Sequence, residues 1–131
     1  MTKEVPRIVF LDDSEDLREL MTVLLESKLE VECKGFGSLM EFESHSNEVL
    51  QARVAILDVN LGPNVPDGLD AFHWLVNHGF RGNILFFTGH ARMNPQIAEA
   101  VGNGIEILEK PIDPISLLNT ITRALNESVG R

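Results

Sequence analysis

Four apolar runs in this chain each end in a group that can do chemistry. Arg7 to Leu11 (RIVFL) leads into Asp12-Asp13, and Arg53 to Leu57 (RVAIL) into Asp58. Asn83 to Phe87 (NILFF) leads into Thr88-Gly89, and Ile105 to Glu109 (IEILE) into Lys110-Pro111. A short apolar run bounded by turn residues reads as a strand buried on both faces. The polar residue that follows is the first to leave a dry sheet. In open α/β sheets, ligands collect just beyond the carboxyl ends of the strands. With the strands parallel, three carboxylates, a hydroxyl and an ammonium meet on one edge.

Gathered within about 5 Å at an effective dielectric near 20, each pair of those carboxylates repels by roughly 3 kcal/mol. Such a cluster needs a cation. All-oxygen ligands on an open edge favour Mg²⁺, which keeps waters and seeks phosphate oxygens. A lysine opposite supplies a point charge suited to phosphate. Metal, ammonium and hydroxyl aimed at one carboxylate describe a phosphoryl-transfer site. Asp58 is then the nucleophile, forming an acyl phosphate.

The segments between these strands must hold them in place. After the first strand, Asp13 or Ser14 caps a predicted helix running to about Lys28, with Leu17, Leu20, Met21, Leu24 and Leu25 as its apolar stripe. Val31 to Phe36 reads as a weaker, half-exposed edge strand. Ser38 caps a second helix carrying Leu39, Met40, Phe42, Val49 and Leu50, interrupted in character by the polar stretch Ser44 to Asn47. Val59 to Asp67 (VNLGPNVPD) is a loop by its glycine, prolines and asparagines. Gly68 opens a third helix with Leu69, Phe72, Leu75 and Val76 inward, closed by Gly79 as its C-terminal cap. Asn94-Pro95 starts a short, weakly apolar fourth helix reaching about Val101. Asp113-Pro114 starts the last, with Ile115, Leu117, Leu118, Ile121, Ala124 and Leu125 inward. Five strands alternating with five helices imply a parallel sheet with helices on both faces, one domain over residues 1–131.

A net charge of −9 argues against a direct grip on nucleic acid, which needs clustered Lys and Arg, and favours protein partners. No apolar run is long enough to span a membrane, and MTKEVPRIVF lacks the features of a secretory signal. A single cysteine, Cys33, excludes an internal disulfide and suits the cytoplasm. It reads as a buried, inert thiol. His45, His73 and His78 read as surface residues without zinc-site spacing. His90, two residues past Thr88, should overhang the pocket and affect the kinetics. Trp74 lies off its helix's apolar stripe, so it marks a partner surface or is partly buried under a neighbouring loop.

Taken in order at the strand ends, Asp12-Asp13, Asp58, Thr88-Gly89 and Lys110-Pro111 resemble a response-regulator receiver domain, of the stand-alone chemotaxis type, over residues 5–127. The resemblance implies a flavodoxin-like sheet ordered 2-1-3-4-5. It implies that Asp58 accepts a phosphoryl group from a sensor histidine kinase or phosphotransfer protein. Asp13, Asp58 and the Asn60 carbonyl would ligate Mg²⁺, with Asp12 acting mainly through water. Thr88 and Lys110 would bind phosphoryl oxygens, and a cis peptide would join Lys110 to Pro111. Such a protein is not an enzyme on a separate substrate; it catalyses its own phosphorylation and dephosphorylation and controls a downstream protein. The short fourth helix should move most easily. Its face with strand five and the last helix is the expected surface for a partner or a second copy, with Gln96, Glu99, Ala100, Glu106 and Leu108 as contacts.

Three positions depart from the family pattern. The loop after Asp58 is longer than usual, Ile107 stands where Tyr or Phe is usual, and Ile112 where Phe is common. With no ring at position 107, His90 is the alternative route by which the signal leaves the site. Other readings stay open: a phosphorelay intermediate, a receiver cut from a larger regulator, a pseudo-receiver, or an aspartyl-nucleophile phosphatase. The last generally needs a second acid two residues after the nucleophile, where this chain has Asn60, and a cap over the substrate.

Overall fold

The computed structural model describes residues 5–59, 68–89 and 105–127. Its strands are β1 (Arg7–Leu11), β2 (Glu32–Phe36), β3 (Val54–Leu57), β4 (Asn83–Thr88) and β5 (Glu106–Glu109). They form one sheet, every pair parallel, in the order β2-β1-β3-β4-β5. The helices among the described residues are α1 (Glu15–Lys28), α2 (Leu39–Ser44), α3 (Ser46–Leu50), α4 (Gly68–Asn77) and α5 (Pro114–Asn126).

The central strands explain the continuous apolar runs. Val9, Leu11, Ala55 and Leu57 pack on one face with Phe42, Val49, Ala71 and Leu75. Ile8, Phe10, Val54 and Ile56 pack on the other with Met21, Leu25, Leu117 and Ile121. Successive side chains alternate between faces, and both faces are covered, so every position in β1 and β3 beyond Arg7 is apolar.

Helix starts follow their capping signals. Ser14 accepts from the Leu17 amide, Ser38 from Glu41 and Asp113 from Ser116. Gly79 follows α4 at φ +75°.

The second predicted helix is two short ones. At His45 the backbone leaves the helical region, with φ −109° and ψ 36°. The Ser44 hydroxyl donates to the Glu41 carbonyl at 2.7 Å, and His45 Nδ1 lies 2.9 Å from the same oxygen. Local side chains thus take up a carbonyl that a continuing helix would use. Leu20, Val76 and Ile115, expected inward, are exposed. α1 centres its buried face on Met21 and Leu25, and α5 on Leu117, Ile121 and Ala124. A helix against a sheet buries a narrower stripe than its sequence offers. The fourth predicted helix lies outside the described residues.

Candidate functional site

Register brings the acids together. Leu11 lies beside Leu57, so the residues that follow them, Asp12 and Asp58, leave the sheet side by side. The Asp58 amide donates to the Leu11 carbonyl at 2.8 Å, and the Asp12 amide to the Phe36 carbonyl at 3.0 Å. Asp12 and Asp58 are buried, 1% and 5% exposed, and they are the buried charged residues among those described. Asp13 turns outward and is exposed. One carboxylate oxygen from each of the three lies within 4.8 Å of the others.

Thr88 ends β4 beside Glu109 of β5, which places Lys110 at the same sheet edge. Lys110 Nζ donates to Asp12 Oδ2 at 2.7 Å and to Asp58 Oδ2 at 3.4 Å. It also lies 5.2 Å from the centre of the Phe87 ring, within cation–π range. Burial pulls the Lys110 pKa down, but the hydrogen bond and charge of Asp12 and the charge of Asp58 outweigh it. The ammonium is held above its ordinary range and stays protonated at neutral pH. The Lys110-Pro111 peptide is cis, as the resemblance implied.

Among the described residues, Lys110 is the cation paired with this cluster of three carboxylates, and it reaches Asp12 and Asp58. All the donors are hard oxygens close enough to share an ion, which fits a hard divalent cation. The acids are not equivalent. Asp12 Oδ1 accepts from the Ser14 amide at 2.9 Å while Oδ2 holds Lys110, so both its oxygens are engaged. Asp13 faces solvent.

Sequence reasoning missed the part played by Gly68. A Cβ there would stand 2.4 Å from the Asp58 carbonyl oxygen and 2.8 Å from its carbon. The first residue of α4 therefore presses against the backbone just past β3, at Asp58, where only glycine fits. The signal was present as a glycine opening a helix, but its reason lies across the fold.

Asn60, His90, Gln96, Glu99 and Ala100 lie outside the described residues, as does the Thr88 side chain. Leu108 was expected as a partner contact but is buried in the core cluster that includes Ile121, because strand alternation turns it inward; Glu106 is exposed and pairs with Arg123. Ile107 is half-buried against the other core cluster. Trp74 is partly buried, its ring 5.9 Å from Phe42 of α2, so among the described residues a helix packs against it. His73 and His78 are exposed, whereas His45 is half-buried with its ring 5.2 Å from Phe36. Cys33 is buried, and burial pushes its thiol up to about 11. No helix among the described residues is long and apolar enough to cross a membrane.

The geometry has parallels in solved structures. A CheY-like response regulator receiver domain protein from Methanospirillum hungatei superposes with a TM-score of 0.81 at 18% identity, covering 94% of this chain and 95% of that one. A receiver domain protein from Clostridium thermocellum gives 0.79 at 22% identity, covering 93% and 95%. The response regulator domain of Thermotoga maritima CheB gives 0.77 at 22% identity, covering 96% and 100%. Comparison with curated proteins gives no match. At these identities the likeness establishes the fold. The sequence model of the response regulator receiver domain matches residues 8–122, the span from the strand that leads into Asp12 to the helix that follows Lys110, and on that match the chain belongs to the response regulator receiver domain family.

Proposed function

We propose that Asp58 accepts a phosphoryl group from a phosphohistidine on a sensor kinase or phosphotransfer protein, with Mg²⁺ bound at the acidic cluster. An Asp58 oxygen attacks phosphorus, the new P–O bond forms as the P–N bond breaks, and the electron pair leaves on the imidazole nitrogen, which takes up a proton. Asp13 and Asp58 would hold the ion, together with the Asn60 carbonyl, while Asp12 is committed to Lys110 and Ser14. A bound Mg²⁺ would offset the charge of the carboxylates and of the incoming phosphoryl group. Lys110 already bridges Asp12 and Asp58, so its ammonium is poised to follow negative charge onto the phosphoryl oxygens. Thr88 would supply a hydroxyl donor to the same group, as the family resemblance implies. The output is a change in affinity for a downstream protein, read on the side of β5 and α5 where Glu106 pairs with Arg123.

The observation that carries this reading is one lysine shared by two buried aspartates, with a third acid within reach of the same ion. Intact-mass measurement after treatment with acetyl phosphate tests it. We expect one phosphoryl group per chain, dependent on Mg²⁺ and absent in Asp58→Ala. Equal incorporation in Asp58→Ala would assign the acceptor elsewhere.

A further inference from the structure

Arg18 is tied to the acidic cluster without belonging to it. It closes the first turn of α1, and its Nη1 donates to the backbone carbonyl of Asp12 at 2.8 Å. The Asp12 amide is held from the other side by the Phe36 carbonyl. The Asp12 carbonyl belongs to the peptide group that joins Asp12 to Asp13. Asp13 is exposed, and no hydrogen bond or ion pair of its carboxylate occurs among the described residues. That peptide group sets the direction in which the Asp13 Cβ leaves the backbone, and so the range of positions its carboxylate can reach.

The path of the arginine is built into β2 and the residue that follows it. A Cβ on Gly35 would lie 3.2 Å from Arg18 Cβ and 3.3 Å from its Cδ. One on Gly37 would lie 3.0 Å from Nη1 and 3.3 Å from Cζ. The stem rests on the first glycine and the guanidinium on the second. Between them lies Phe36, whose carbonyl holds Asp12.

We propose that Arg18 is a positioning residue that clamps the Asp12–Asp13 peptide and so aims Asp13 at the divalent cation. This rests on the metal reading above. Its effect has a distinctive sign. Removing a positive charge beside an acidic cluster would, by Coulomb attraction alone, strengthen cation binding. Loss of the clamp weakens it, as loss of groups that orient metal ligands generally does, on the order of tenfold or more.

The test is Mg²⁺ titration by calorimetry, paired with the shift of the urea midpoint on adding Mg²⁺, which reads native-state affinity even in a less stable variant. We expect Arg18→Ala to bind Mg²⁺ on the order of tenfold more weakly than wild type. Arg18→Lys should lose less, since an ammonium can still donate to the Asp12 carbonyl. Gly37→Ala, which keeps the arginine but crowds its guanidinium, should also weaken binding. Should Arg18→Ala not fold, Arg18→Lys and Gly37→Ala decide the matter. Variants that unfold more easily yet bind Mg²⁺ as wild type does, or more tightly, overturn the proposal. A wild-type chain that binds no Mg²⁺ overturns the metal reading itself.

Discussion

Replacing Gly68 by alanine tests whether α4 holds the end of β3 by direct backbone contact. The added methyl would meet the Asp58 carbonyl oxygen at 2.4 Å, its carbon at 2.8 Å and Val59 Cα at 3.1 Å. Relief to an ordinary contact needs a gap of about 1 Å. All three atoms are backbone, so no rotamer change can make room. Overpacking of this kind costs about 1–3 kcal/mol. Alanine returns at most about 1 kcal/mol through its better helix propensity, and less at a first helical position. The balance is a loss of about 1–2 kcal/mol, or roughly 3–8 °C in thermal midpoint. The strained carbonyl belongs to Asp58, the proposed acceptor, so its carboxylate moves too, and a 1 Å misplacement can lower a rate about a hundredfold. Gly79→Ala is the control. Gly79 lies at the far end of α4 at φ +75° with open space around it. Alanine there costs about 1–2 kcal/mol for its left-handed backbone without touching the site. Thermal unfolding and the rate of phosphorylation by acetyl phosphate should therefore separate the two variants. If Gly68→Ala matches wild type in both assays, or slows phosphorylation no more than Gly79→Ala does, the close approach does not position Asp58.

Asp13→Ala should weaken Mg²⁺ binding, measured by calorimetry, more than Asp12→Ala, because both Asp12 oxygens already have partners; the reverse order would exchange their roles. Burial pushes the Cys33 thiol from 9.0 to about 11. Stability from this shift is fully present below pH 9.0, where the unfolded chain also keeps its proton, and is lost as pH rises toward 11. Urea unfolding of wild type should lose on the order of 2 kcal/mol more than Cys33→Val across that window, and parallel curves would show the thiol to be more open than its burial indicates. Ile107→Ala should cost about 1–2 kcal/mol, roughly half the cost of emptying a fully buried site, because the side chain is half-buried. We expect it to keep the response to beryllofluoride seen by hydrogen exchange, whereas loss of that response at unchanged stability would put the signal path through β5.

The strands and their chemical ends were legible because a strand buried on both faces admits almost no polar residue. Asp12 and Asp58 stand out as the first groups beyond a dry run, and position alone marks them, whereas Lys110 follows an edge strand whose Glu106 and Glu109 are exposed. Helix starts were equally plain at Ser38 and Asp113, and narrowed to Asp13 or Ser14 for α1, since a cap satisfies amides two or three residues away and so is written locally. What the sequence left open involves groups distant along the chain. Periodicity shows that α1 and α5 have an apolar side, but not that the sheet covers Met21 and Ile121 while leaving Leu20 and Ile115 exposed. The break at His45 depends on which of two competing bonds takes the Glu41 carbonyl. Gly68 matters because of Asp58, and Gly35 and Gly37 because an arginine from α1 crosses them. These are steric and hydrogen-bond relations between elements. They come into being only when strand order and register bring the elements within a few ångströms of one another.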